Sequence, residues 1–320
     1  MVENPRIAVI GDVMLDAYDY AKTRDNPEED TLCTTTQKIT YRLGGAGNVA
    51  VNLAKLGVNV FFIARVGDDR EGELVKMLLE ANLIKNKLII DKNMTTPLKE
   101  RTLSYKDGHY HHRDDLEGFR RTRIQNSDGS ITDAYGGSSY LKAPEIPSCL
   151  RRLSYYPMII ISDYAKGMIT DELVQGIKMK NARVLVDTKP AHKKFYNGVW
   201  LIKPNSKELR EMTGEIDDFH AAEKLHEELE CRVLVTRGEE GMHYHGFQNE
   251  KWWKLNSRAD VKPGEVKDRV GAGDNVIALL AYALNEGYDM RQAMNLASKG
   301  AGIAVCHRGC YAPTLRELGL

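Results

Sequence analysis

Lys267-Asp268-Arg269-Val270-Gly271-Ala272-Gly273-Asp274-Asn275 runs directly into the apolar stretch Val276 to Leu284. A Gly-Ala-Gly turn at the start of a helix points backbone N–H groups outward, and the helix terminus adds partial positive charge, so the turn binds an anion without a cationic side chain. Gly271 and Gly273 supply the backbone freedom and close approach that a phosphate requires, with Ala272 between them. A carboxylate at such a place repels phosphate unless it has a task. Asp274 then reads either as a helix N-cap or as a base that takes the proton from a hydroxyl attacking that phosphate.

Working outward, short apolar runs end repeatedly in polar residues and are followed by helical segments. Arg6 to Ile10 leads into Gly11-Asp12, and Pro157 to Ile161 into Ser162-Asp163. Arg183 to Val186 leads into Asp187, Leu201-Ile202 into Lys203-Pro204-Asn205, and Arg232 to Val235 into Thr236-Arg237-Gly238. Such units predict an α/β fold with a doubly wound, mostly parallel sheet, whose functional groups gather along its carboxyl edge. Asn48 to Leu56 and Gly72 to Ala81 read as helices around the strand Val60 to Val66. Two regions, about 18–41 and 96–113, are polar and threonine-rich, and predict strands outside the main sheet that form a small lid over its edge. Segment 125–147 reads as a long loop or a strand pair. The expectation is one domain over residues 1–320.

Composition narrows the partners. Lys+Arg and Asp+Glu are both 45 in 320 residues, so no net field steers the chain towards nucleic acid or an anionic membrane. No apolar run approaches the roughly 18 residues that span a bilayer. Five scattered cysteines without a signal peptide predict reduced thiols and a cytoplasmic location. Cys306 and Cys310 around His307 lack the second cluster that zinc requires, and the histidines at 109, 111 and 112 read as exposed strand surface.

Gly44-Gly45-Ala46-Gly47-Asn48-Val49-Ala50 contains G-x-G-x-x-A with Asp68 and Asp69 about 20 residues on, the dinucleotide pattern. Its place after a later strand, not the first, argues against NAD. Gly44, Gly45 and Asn48, with Asp12 and Asp16, instead offer the amides and carboxylates that polyol recognition uses. Asn205 and Glu208 lie three apart at a helix start. They read as holders of a hydrated magnesium ion and phosphate oxygens, or as an ordinary cap. No GxxxxGK[ST] loop is present.

In combination these motifs resemble the ribokinase-like (PfkB) carbohydrate kinases, and most closely the heptose-7-phosphate kinases of ADP-heptose and lipopolysaccharide synthesis. The resemblance is carried by Gly11-Asp-Val-Met-Leu-Asp16, Gly44-Gly-Ala-Gly-Asn48, Ser162-Asp-Tyr-Ala-Lys-Gly167, Lys203-Pro-Asn-Ser-Lys-Glu208, Thr236 to Met242 and Asp268 to Asp274. It implies a ribokinase-like core with a β lid, and ATP and Mg2+ as co-substrates in phosphorylation of a sugar hydroxyl. Asp274 would be the base and Gly271, Ala272 and Gly273 the anion hole. Asp12, Asp16, Gly44, Gly45 and Asn48 would hold the sugar. Asn205, Glu208, Thr236, Gly238 and Gly241 would hold the nucleotide, with Asn205 and Glu208 also on the magnesium through water. Asp268 matches a position near a monovalent cation such as K+. The heptose branch implies conversion of heptose 7-phosphate to the 1,7-bisphosphate, a homodimer paired through the lid, and a separate nucleotidyltransferase as the next enzyme. Arg24, Lys99, Arg101 and Arg113 in the lid and Lys189 at the sheet edge are candidate cations for the substrate phosphate.

The chain departs from the family pattern at Val270 and Asn275, where threonine is usual, at Glu29-Asp30-Thr31-Leu32 in the first lid strand, and at the adenine-side loop His307-Arg308-Gly309-Cys310. These departures leave open a kinase for another sugar or nucleoside, or a sugar-binding regulatory protein impaired in turnover.

Overall fold

In a computed structural model the described residues are 6–26, 31–106, 110–116, 121–125, 131–135, 140–248, 251–259, 261 and 264–320. The first β-α-β unit starts with β1 (Arg6–Gly11) and continues through β2 (Val13–Asn26), β3 (Thr31–Gly45) and α1 (Ala46–Lys55) to β4 (Asn59–Gly67). It is followed by α2 (Arg70–Ala81), β5 (Lys85–Asp91), β6 (Leu98–Ser104), β7 (Tyr110–Leu116), β8 (Arg121–Gln125) and β9 (Ile131–Tyr135). The middle of the chain forms α3 (Ile146–Leu153), β10 (Met158–Asp163), α4 (Asp171–Lys178), β11 (Arg183–Thr188), β12 (Leu201–Ile202), α5 (Ser206–Thr213) and α6 (Asp218–Leu229). The last third contains β13 (Arg232–Thr236), β14 (Met242–Gln248), β15 (Lys251–Ser257), α7 (Ala272–Asn285), α8 (Met290–Val305) and α9 (Leu315–Leu318).

Nine strands form one sheet in the order β15-β14-β13-β12-β11-β10-β1-β4-β5, parallel from β13 to β5 and antiparallel at β14 and β15. The apolar runs of the inner strands are buried on both faces, as a doubly wound sheet demands. In β1, Ile7 and Val9 face a core completed by α1, α2, α7 and α8, while Ala8 and Ile10 face one completed by α3, α4 and α6. This is the predicted fold class. Asn205 and Thr236 extend the parallel pairing by one isolated bridge, which places the starts of two functional loops side by side.

A second sheet, β3-β2-β6-β7, corresponds to the expected lid. It is longer than expected and less exposed at its root. The strands β2 and β3 pair from Val13↔Gly45 outward, and Tyr18 and Ala21 are buried. In the 125–147 segment the expected strand pair is met in part, with shifted bounds. A hairpin of β8 and β9 begins before it, at Arg121, and its end is helical, from Ile146. Glu29, Asp30 and His109 lie outside the described residues, and Arg24 is described only as backbone in β2.

Candidate active site

Gly271 adopts a left-handed φ of 78° and opens α7, whose N-terminus has no side-chain cap. Ala272 N–H donates to Arg269 O at 3.3 Å, while the N–H groups of Gly273 and Asp274 remain available to an anion. Asp274 lies inside this turn but does not cap it. Its Oδ2 accepts a hydrogen bond from Asn48 Nδ2 at 2.8 Å and its Oδ1 accepts one from the Tyr164 hydroxyl at 3.0 Å. Burial raises its pKa from 3.8 to about 6, and Asp187 adds to the rise; Asn48, Tyr164 and Lys203 oppose it. The cap reading is thereby excluded, and a buried carboxyl titrating just below neutral pH suits a general base. Gly271 is sterically required as well, since a Cβ there would lie 2.6 Å from Asn48 Nδ2.

A cavity of about 730 Å³ opens in front of this helix. Its polar part is lined by Asp187, Lys189, Lys203, Asn205 and Glu208, with Thr236, Gly238 and Gly241 further along, and its apolar part by Val261, Val266, Val276 and Val305. It thus brings the nucleotide candidates together with the anion turn, in a pocket with one polar and one apolar end. Gly238 and Gly241 both have positive φ, 57° and 87°, at the ends of a single 3-10 turn. At Gly241 a Cβ would lie 2.1 Å from Ser257 O, so the turn can close against β15 only with glycine there.

Asn205 and Glu208 form a reciprocal capping box at the start of α5: Glu208 N–H donates to Asn205 Oδ1 at 2.9 Å and Asn205 N–H to Glu208 Oε2 at 3.0 Å. Lys189 Nζ pairs with Glu208 Oε1 at 2.5 Å, and Lys203 Nζ with Asp187 Oδ2 at 2.9 Å. The ordinary cap reading of Asn205 and Glu208 is therefore met. Their carboxylate and the Asp187 carboxylate still line the cavity, and fit a hydrated Mg2+ held through water, the usual manner for this ion on phosphates. Among the described residues no group of three His, Cys, Asp or Glu side chains forms a metal cage, the 306–310 cysteines and the exposed His111 and His112 included.

The sugar candidates collect on the other side of Asp274. Asp16 is buried and accepts from Arg101 Nη1 at 2.5 Å and from the Cys310 thiol at 3.4 Å. Gly44 leaves room for it, since a Cβ would sit 2.4 Å from Asp16 Oδ2. Asp12 has a different task. Both its oxygens accept backbone N–H groups, of Tyr164 (2.8 Å), Lys166 (3.0 Å) and Met168 (3.0 Å), so it shapes the turn that presents Tyr164. Gly45, at φ 56°, approaches the Asp12 carbonyl so closely that a Cβ would lie 2.6 Å from it.

The cations assigned to the substrate phosphate are placed otherwise than expected. Arg101 is buried and compensated by Asp16, and Arg113 makes two 2.6 Å hydrogen bonds to Asp115. Lys99 and Lys189 lie 5.8 and 5.1 Å from the centre of the Tyr164 ring. The 307–310 loop packs against Asp16, Tyr18 and Arg42, beside the residues expected to hold the sugar. Asn275, in place of threonine, donates to Tyr311 O at 2.8 Å and anchors the same loop. Asp69, weighed as a dinucleotide carboxylate, caps α2 through Gly72 N–H and binds Thr96, and Gly47 packs on Leu43 and Val13.

Sequence reasoning did not single out Tyr164, Lys203, Asp187 or Arg42. Tyr164 and Lys203 stand inside motifs already quoted, next to residues with more obvious chemistry. Only the fold shows that they converge on Asp274.

The chain belongs to the pfkB family of carbohydrate kinases, whose model matches residues 4–112 and 162–317, more than half of its length. Its fold is that of the ribokinase-like kinases. It is 32% identical over 324 residues to a bifunctional protein HldE of Rhodopseudomonas palustris (98% of this chain, 62% of that one). It is likewise 31% identical over 328 residues to one of Campylobacter jejuni (99% and 64%). The chain thus spans less than two thirds of the length of these relatives. By name they carry a second function on the same chain, in contrast to the separate partner enzyme expected above. In fold it is similar to phosphofructokinase-2 from Escherichia coli in complex with potassium (TM-score 0.73, 18% identity, 99% and 97% of the two chains). Ribokinase of Arabidopsis thaliana complexed with ribose and ATP is similar too (TM-score 0.70, 20% identity, 98% and 97%).

Proposed function

We propose that the protein transfers the γ-phosphate of ATP to a hydroxyl of heptose 7-phosphate, giving the 1,7-bisphosphate and ADP. The observation that carries the reading is the position of Asp274, buried between the uncapped turn of α7 and the side where Asn48, Asp16 and Gly44 converge. A sugar hydroxyl on that side gives its proton to Asp274 as its oxygen bonds to the γ-phosphorus, and the bond from that phosphorus to the β-phosphate oxygen breaks. The N–H groups of Gly271 to Gly273 and the Lys203 ammonium meet the charge on the transferred group. Catalysis of this kind rests on positioning and electrostatics. Asp187 and Glu208 would hold a hydrated Mg2+, which would supply charge neutralisation on the phosphates.

Asn48 and Tyr164 hold the base in place, and the apolar end of the cavity takes the adenine. Arg101 orients Asp16 for the sugar and Lys189 pairs with Glu208, so of the cations named from the sequence Lys99 beside Tyr164 is the one proposed for the substrate phosphate. The heptose assignment leans on the HldE relatives, and the same reading includes a homodimer and a cytoplasmic setting. Among the described residues no helix is long and apolar enough to cross a membrane. An ATP-consumption screen over sugars and sugar phosphates with Mg2+ tests the proposal. Heptose 7-phosphate should be turned over best; preference for a non-phosphorylated sugar or a nucleoside would remove the substrate assignment.

A further inference from the structure

The family resemblance places a monovalent cation near Asp268, and a site for one is built from oxygens that face it as acceptors. The residues around Asp268 are arranged the opposite way. Its Oδ1 accepts Val270 N–H at 3.0 Å, and its Oδ2 accepts Gly309 N–H at 2.8 Å together with the hydroxyl of Tyr110, a residue of β7 in the lid. The carbonyls flanking Gly309, those of Arg308 and Cys310, both accept from Arg42 Nη1, at 2.9 and 3.0 Å. The nearby Val305 carbonyl takes the N–H groups of Lys267 (2.8 Å) and Asp268 (3.1 Å). The loop is closed tightly on these partners: at Gly309, φ 68°, a Cβ would lie 2.8 Å from the Tyr18 hydroxyl and 3.1 Å from Arg42 Nη1. Both carboxylate oxygens of Asp268 and the carbonyls of Val305, Arg308 and Cys310 are thus each supplied with a donor, so these groups do not fit K+.

We infer that the Arg42 guanidinium, together with the Tyr110 hydroxyl, stands in the place of a monovalent cation, and that this kinase is indifferent to K+. A guanidinium is charged at every working pH and donates in fixed directions, so one nitrogen between two carbonyls draws them together as an ion would. The loop it holds abuts the anion turn: a Cβ on Gly271 would lie 3.3 Å from Cys310 Sγ. Unlike an ion, Arg42 is covalently part of β3 and Tyr110 part of β7, so the loop behind the anion turn is tied to both outer strands of the lid.

The activity arm of the test rests on the kinase reading, and the stability arm does not. An ion that binds only the folded state raises the melting temperature with its concentration. The intact protein, without nucleotide or sugar, should melt within about 1 °C in KCl, NaCl and tetramethylammonium chloride at equal ionic strength. Its turnover in the three salts should agree within about twofold. A K+-specific rise in melting temperature or turnover overturns the inference. In Arg42→Gln the two carbonyls lose their cationic partner, and its melting temperature should become higher in K+ than in tetramethylammonium; a variant that stays indifferent overturns the part given to Arg42. Absence of turnover on any sugar in every salt would remove the kinase reading, while the melting comparison would still decide the question of the cation.

Discussion

At the scale of single residues, Asp274 carries opposite consequences for stability and for rate. Its folded pKa, about 6, lies above the ordinary carboxyl value of 3.8, so the folded state binds more protons in the window between them. The stabilisation from this group is complete below about pH 4 and is lost as pH rises through about 6. At pH 8 the buried charge costs up to ~3 kcal/mol, about 2 pKa units at 1.36 kcal/mol each. Asp274→Asn should accordingly melt a few degrees above wild type at pH 8, with the gap closing towards pH 4 in calorimetric scans; an equal or lower melting temperature at pH 8 would show that the carboxylate is not under strain. The rate behaves the other way, because a base must be ionised. Tyr164 donates to the carboxylate and favours its charged form, so Tyr164→Phe should move the acid limb of the kcat profile to higher pH, by about 1 unit for one charge-assisted hydrogen bond. A limb that stays in place would take Tyr164 out of the positioning role. Asp274 was legible in the sequence because a carboxylate between anion-binding glycines has few reasons to be there. Tyr164 was not, because an aromatic inside a strand-end motif is ordinary until the fold points its hydroxyl at Asp274.

At the scale of elements, the alternation of buried strands and amphipathic helices was legible from β1 onward, since strands covered on both faces must be apolar throughout. Short β12 was visible only through the Lys203-Pro204-Asn205 that ends it. The hairpin β8-β9 was misplaced because Gly and Ser in 125–147 suggest turns without fixing which flanking residues pair. Asp12 was read as a sugar ligand because a carboxylate at a strand end suits both tasks; three backbone N–H groups donate to it and make it a holder of the turn 163–168, where Ala165 is held at φ 56°. Asp12→Ala leaves three N–H groups without an acceptor and should destabilise the fold by about 2–4 kcal/mol in urea titrations, with a fall in kcat because Tyr164 is no longer presented. A variant as stable as wild type would mean that the turn does not depend on Asp12. Its sugar KM separates the two readings: a large rise with stability intact would return Asp12 to the sugar.

At the scale of the whole molecule, two sheets meet along one edge, and the proposed chemistry lies where they meet: the nucleotide in the cavity over β11 to β13, the sugar under the root of the lid, and Asp274 between. Reaction class was legible early because it rests on one contiguous motif at the head of α7. Substrate was less so, because it rests on side chains from β2, β3, β6 and the 307–311 loop that are distant in sequence and mutually paired in space, as Asp16 with Arg101 is. The absence of net charge fits a protein that meets its anionic substrates with local groups. The most direct measurement is steady-state turnover of Asp274→Asn beside wild type on heptose 7-phosphate with ATP and Mg2+. The expected result is a kcat lower by about 10² to 10⁴-fold with the sugar KM little changed, because the amide keeps the shape of the site and loses its basicity. Near-wild-type turnover by that variant would contradict it.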